Sequence, residues 1–320
     1  MKTTASRSIL RRAQHGVEYA LLRILATLSS LLPARLVVFC GHCLGLMVWA
    51  LDARHRRIAG GNLERAFGDA LDDQQRRRIV RRTFTRFGEV LSELALFPRI
   101  ARAKPERWVE VHGLHWLQEA LDRGRGALVT SGHFGNWEMV ALTQAQLGHP
   151  MGMVTRPLDN PLLESWMARL RGLTGNFVIH KRQALRQVLP ALRHGQPVAL
   201  MIDQNARGER GIFVDFFGHP ASTSTALGLI ACKLRCPIVP VFSVPLGGGR
   251  YRIEYEKPLE PRLDAADHEA EVKRLTQEAT SRLEAWTRRH PSLWLWLHQR
   301  WRTRPLAETA AGIAVQERTI

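Results

Sequence analysis

The chain is poor in cysteine, and four residues in 320 exclude a fold built on disulfides. Two of the four, Cys40 and Cys43, form a C-x-x-C inside an apolar stretch with no second pair nearby. They read as packed apolar thiols rather than as a metal or redox centre. H-E-x-x-H and paired Cys/His sets are also missing, so neither a metal site nor a bound cofactor is expected. The absence of G-x-S-x-G argues against a serine lipase. No zinc-finger spacing, RNA-recognition signature, internal repeat or low-complexity tract occurs, and nucleic acid is not an expected partner. Acidic residues are scarce: 29 Asp+Glu against 46 Lys+Arg leave a formal charge of +17. Such a field attracts acidic membrane surfaces, phosphorylated ligands or an acidic carrier protein.

A clean membrane span is lacking too, because a full crossing needs ~20 apolar residues. After a basic start (Lys2, Arg7, Arg11, Arg12), the first apolar block, 17–33, contains Glu18 and Arg23. The second, LVVFCGHCLGLMVWAL at 36–51, holds His42 and ends at Asp52, with Arg54, Arg56 and Arg57 directly behind. Residues 1–53 are expected to be a membrane anchor, either one tilted span or a helical hairpin in the interface, with a buried helix pair as the alternative. Residues 54–105 form a basic helical segment, whose run Arg76-Arg77-Arg78 with Arg81, Arg82 and Arg86 suits anionic headgroups or a solvated face.

From residue 106 to 305 short apolar runs alternate with helical periodicity, and 306–320 is a tail. Strands are expected at 108–112, 126–130, 150–155, 176–179, 197–202, 237–244 and 250–256. Helices are expected at 114–123, 137–147, 160–172, 183–194, 222–235 and 266–289. This is an α/β pattern: a central mixed sheet flanked by helices.

TSGHFGNWEM, residues 130–139, puts His133 on a loop at a strand's carboxyl end and Glu138 in the first turn of the next helix, with Asn136 as its cap. A carboxylate on one ring nitrogen fixes the tautomer and frees the other to take a proton from a hydroxyl. Gly132 and Gly135 allow close approach of the backbone to a substrate. The spacing alone is equally compatible with a His and a Glu that only bond to turn backbone. Arg156 follows a strand end and suits a phosphate or carboxylate, or an ion pair with Asp159 or Glu164. Asp203, also at a strand end, would orient Arg156 or a substrate hydroxyl, or cap a helix. Lys181 and Arg182 either meet acceptor phosphates or form a solvated pair. The tryptophans at 286, 294, 296 and 301 suit a membrane interface or ordinary packing.

The longer string S-G-H-F-G-N-W-E resembles the signature of the late acyltransferases of lipid A biosynthesis, a branch of the lysophospholipid acyltransferase superfamily. GNLERAFGD (61–69), Thr155-Arg156-Pro157 with LDNPLLESWMARLRG (158–172), DQNARGERGIFVDFFGHPAST (203–223) and HPSLWLWLHQRWRTRP (290–305) resemble its other blocks in order. The resemblance implies an acyltransferase domain over 106–305, with His133 as general base and Glu138 as the acid that orients it. It implies transfer from acyl carrier protein or acyl-CoA to a hydroxyl of a membrane glycolipid at the cytoplasmic face of the inner membrane. Backbone N–H groups near 132–136, or Arg156, would stabilise the oxyanion. Glu138 stands where related glycerol-phosphate acyltransferases commonly have Asp, and Asp203-Gln204 replaces their F-P-E-G block. Both departures disfavour a small glycerol-phosphate acceptor. Alternatives are another lipid acceptor, such as a lysophospholipid, or a non-enzymatic protein that binds anionic membranes.

Overall fold

The computed structural model describes residues 2–181, 184–208, 211–262 and 267–305. Helices α1 (Lys2–Leu31), α2 (Ala34–Leu51), α3 (Ala53–Phe67), α4 (Asp73–Glu93) and the single turn α5 (Phe97–Ile100) precede the sheet. Then come β1 (Val109–His112), α6 (Leu114–Asp122), β2 (Ala127–Ser131), α7 (Trp137–Gln146), β3 (Gly152–Thr155), α8 (Pro161–Arg171), β4 (Phe177–His180), α9 (Ala184–Arg193) and β5 (Pro197–Met201). The chain continues with β6 (Gly211–Phe216), β7 (His219–Ser224), α10 (Ala226–Leu234), β8 (Ile238–Gly247), β9 (Arg250–Tyr255) and α11 (His268–Arg289).

Seven strands form one mixed sheet in the order β1-β9-β8-β2-β5-β3-β4, as the alternation of apolar runs and helices predicts. All neighbours are parallel except the β8–β9 hairpin. β2 lies mid-sheet and every one of its residues is buried, which explains its unbroken apolar run. The region 203–223 departs from the expected loop and helix: β6 and β7 make a separate antiparallel hairpin, and α10 starts only at Ala226. Pro220, Ser222, Thr223 and Ser224 are poor helix formers, and the inward Val214, Phe216 and Ala221 give the hairpin a buried face. Likewise the tryptophans at 286, 294, 296 and 301 are all buried, so packing and not a membrane interface accounts for them.

The N-terminal helices are not a detached anchor. A capping box, with Asp72 accepting from Gln75 N and Gln75 Oε1 accepting from Asp72 N, starts α4. α2 runs antiparallel along α4 with the backbones in contact: a Cβ on Gly88 would meet Gly41 O at 2.3 Å, and one on Gly45 would meet Phe84 O at 2.5 Å. Only glycine permits that approach. α2 is nevertheless apolar enough to cross a membrane and is mostly uncovered, with Phe39, Met47 and Leu51 exposed. Cys40 and Cys43 are exposed as well, contrary to the expected packing, because they fall on the face turned away from α4. α1 packs Tyr19, Leu22 and Ala26 inward and exposes Leu10, Val17, Leu21, Ile24, Leu28 and Leu31 at three-four spacing. The tail 306–320 lies outside the described residues.

Candidate active site

β2 and β5 are parallel neighbours, with Ser131 paired to Met201. Two residues beyond that pair, at the carboxyl ends of both strands, stand His133 and Asp203. The register therefore brings together a base and an acid 70 positions apart in sequence. His133 Nδ1 lies 2.9 Å from Asp203 Oδ1, and the His133 backbone N–H donates to Oδ2 at 2.7 Å. Trp294 Nε1 donates to the same Oδ2 at 3.0 Å, and the Asp203 side chain is wholly buried. Because the acceptor is a carboxylate, Nδ1 carries the proton and Nε2 keeps the lone pair.

Burial alone would lower the His133 pKa, but the charge and hydrogen bond of Asp203, with a smaller contribution from Glu138, raise it above the ordinary 6.5. Burial would raise Asp203, yet the charge and hydrogen bonds of His133, helped by His298, hold it far below the usual carboxylate range. The pair is thus poised as an imidazole with a permanently ionised partner.

The loop is held rigidly. Gly135 has φ +58°, and a Cβ there would sit 2.0 Å from Ser243 O. Its N–H donates to Leu293 O, while Leu295 N donates to His133 O, which ties the loop to the C-terminal block. Asn136 caps α7 by accepting from Met139 N at 2.9 Å, and its Nδ2 donates to Glu93 Oε2 at 2.7 Å. Gly132 is needed for closeness, since a Cβ there would lie 3.1 Å from Asp203 Oδ2.

Glu138 does not occupy the place expected of it. It is buried in the first turn of α7 and binds Arg171 through two bonds, Nε to Oε2 at 3.0 Å and Nη2 to Oε1 at 2.6 Å. The strand register has already placed Asp203 on Nδ1, and Glu138 faces the basic end of α8 instead. Arg156 is exposed and 4.0 Å from Asp159, while the buried Asp203 carboxylate is taken up by His133 and Trp294. Lys181 is exposed, and Arg182 lies outside the described residues. Of the expected oxyanion donors, the N–H groups of residues 133–136 are engaged, Phe134 N with Gly132 O and Asn136 N with Ser243 Oγ among them.

Sequence reasoning gave Asp203 other partners and missed Trp294, although both stand in quoted blocks. A strand ending two residues before Asp203, parallel to one ending two before His133, was the available signal. Among the described residues no group of three or more His, Cys, Asp or Glu is placed to hold a metal. His133 opens on a narrow cleft walled by α4 and by Leu293–Leu295, with about 10 Å³ of free space, room for one water.

A mixed α/β sheet that brings a histidine and a buried carboxylate together at its carboxyl edge makes a site suited to acid–base chemistry. The chain belongs to the bacterial lipid A biosynthesis acyltransferases, whose family model matches residues 4–303, and it is an acyltransferase. It is 28% identical over 285 residues to a lipid A biosynthesis acyltransferase of Haemophilus influenzae, covering 87% of this chain and 88% of that protein. It is also 28% identical over 277 residues to the lipid A biosynthesis lauroyltransferase of Escherichia coli, covering 86% and 88%. A phosphatidylinositol mannoside acyltransferase of Mycolicibacterium smegmatis is 25% identical over 268 residues, covering 79% and 84%.

Proposed function

We propose that the protein moves a fatty acyl chain from a thioester donor, acyl carrier protein or acyl-CoA, to a hydroxyl of a membrane glycolipid, a lipid A precursor. The observation that carries this reading is the His133–Asp203 pair, which leaves a basic Nε2 at the cleft. His133 Nε2 takes the proton of the acceptor hydroxyl while Asp203 stabilises the imidazolium that forms. The alkoxide attacks the thioester carbonyl, the C–S bond of the tetrahedral adduct breaks, and His133 returns the proton to the departing thiolate. Trp137 and Glu138, the first residues of α7, have amides without an intrahelical acceptor and supply donors for the oxyanion. Glu138 keeps Arg171 in place and adds negative charge near the imidazole.

The reading extends to location. The exposed apolar stripes of α1 and α2 sit in the bilayer interface, at the cytoplasmic face of the inner membrane, where donor and acceptor meet. Of the two expected dispositions the interfacial hairpin is favoured. α2 is fastened along α4, and drawing it through the bilayer would carry Arg77, Arg78, Arg81 and Arg82 into hydrocarbon.

The test is a purified assay with an acyl thioester and a glycolipid acceptor. The expected product is acylated acceptor, absent when the acceptor is withheld. Release of free fatty acid at the same rate without acceptor would mark a hydrolase and end this reading.

A further inference from the structure

The cleft beside His133 contains one cationic side chain among the described residues, and it comes from outside the α/β sheet: Arg86 of α4. The other basic candidates are elsewhere or occupied. Arg156 is exposed and Arg171 is held at two points by Glu138. Arg86 is paired on one side with Glu89, which also takes His42 Nδ1 at 2.9 Å. Its guanidinium lies over the Tyr251 ring, 5.6 Å from the centroid. The Nε donor is buried and has no partner among the described residues. A buried charged donor left unpaired is destabilising, so such a group at a substrate cleft indicates an acceptor that arrives with the substrate.

Resting on the reading above, we propose that Arg86 holds a phosphate group of a substrate in the catalytic cleft, once the cleft, which as it stands has room for one water, widens to admit it. A guanidinium presents five N–H donors in a planar fork that matches phosphate oxygens, and a dianionic newcomer competes for Arg86 against Glu89, which is also engaged by His42, and the neighbouring Glu93. Ser292 adds a hydroxyl to the same cleft, while Phe87, Val90 and Leu293 give the acyl chain an apolar wall. The phosphate has two possible sources, the glycolipid headgroup or the phosphopantetheine arm of the donor. In the headgroup it sits on the same sugar framework as the acceptor hydroxyls, whereas in the donor the whole pantetheine arm separates it from the thioester sulfur.

The experiment pairs substrates that differ only in that group: a phosphorylated glycolipid and its dephosphorylated counterpart as acceptors, acyl-phosphopantetheine and acyl-pantetheine as donors. Arg86→Gln is expected to lower kcat/KM by about 10–100-fold, mainly through KM, for the phosphorylated member of one pair. Against its phosphate-free counterpart the loss is much smaller, and the pair in which the preference disappears names the source. Arg86→Lys keeps part of the preference, because a point charge replaces the fork. An equal loss across all four substrates, or no loss, overturns the proposal. If Arg86→Gln does not fold, Glu89→Gln decides: a lower KM for the phosphorylated substrate alone supports the proposal, and an unchanged or uniformly raised KM overturns it. Failure of the acyl-transfer reading is separately visible, since wild-type protein then acylates neither acceptor.

Discussion

β2 and α2 are both dominated by apolar residues, yet they end in opposite surroundings. β2 is covered on both faces and delivers His133 to hydrogen-bonding distance of Asp203, 2.9 Å. α2 is covered along one narrow seam, where Gly41 and Gly45 meet α4, and leaves Phe39, Met47 and Leu51 exposed. Apolar content states that a surface must leave water, not what will cover it. In β2 the cover is the protein; for α2 we assign it to the bilayer. On this view the two regions are separable, one holding the chemistry and the other the location.

The largest effects belong to the first region. His133→Ala should lower the acyl-transfer rate by about 10⁴-fold, measured on purified protein, with vesicle binding unchanged. Retained transfer at the wild-type rate would sink the mechanism. Asp203→Asn should cost about 10³-fold, because an amide can donate to the ring and select the wrong tautomer. It also carries a pH signature. Only neutral His133 accepts a proton, and its pKa is raised above 6.5, so kcat/KM should rise with pH through a limb above 6.5. Removing the Asp203 charge removes the main cause of that rise, and in the residual activity of Asp203→Asn the limb should move to lower pH. For stability the sign differs by partner. The depressed Asp203 carboxyl contributes above its ordinary pKa of 3.8 and loses the contribution as pH falls.

Glu138→Gln comes next, and it discriminates between the two carboxylates. It leaves the Arg171 charge largely buried without its partner, which costs roughly 3 kcal/mol of stability, readable as a lower Tm. The pH limb of His133 should shift only slightly, since Glu138 is its minor influence. A shift as large as that of Asp203→Asn would restore Glu138 as the orienting acid.

That contrast also marks how far the sequence was legible. Strand–helix alternation, the strand before His133 and the Asn136 cap could be read from periodicity and capping chemistry, because those signals are local. The strand ends before His133 and Asp203 were legible, but that the two strands are neighbours was not, because β5 follows β3 and β4 in the chain yet inserts between β2 and β3. Glu138, five positions from His133, drew the role from the family resemblance, which a register-made contact between distant residues does not enter. The β6–β7 hairpin escaped notice for a related reason: its Gly, Pro and Ser content reads as loop until the two strands face one another.

Predictions for the second region are smaller. Phe39→Glu with Met47→Glu removes two exposed apolar side chains and should reduce partition onto vesicles by about 10–100-fold per site. Because both are exposed, the Tm should hold, and turnover on micellar substrates should be close to wild type. A large fall in Tm would mean that protein, not lipid, covers α2.

The smallest effect separates two uses of the basic face. Arg77, Arg78, Arg81 and Arg82 are exposed on α4, the helix that packs along α2. If they meet anionic headgroups, Arg78→Gln should weaken binding to anionic vesicles by about 1 kcal/mol, roughly fivefold, and leave binding to neutral vesicles unchanged. The difference should fade as salt approaches 1 M, where the screening length falls to about 3 Å. If the same face instead receives an acidic carrier protein, vesicle binding stays the same and KM for the carrier-bound donor rises, again in a salt-dependent way. Acyl-CoA separates the cases further, since a carrier-docking face has nothing to hold when the donor lacks the protein. A KM defect confined to the carrier-bound donor would move the basic face from the location half of the molecule to the chemical half. The division between β2 and α2 would then run through α4, whose Arg86 already lines the catalytic cleft.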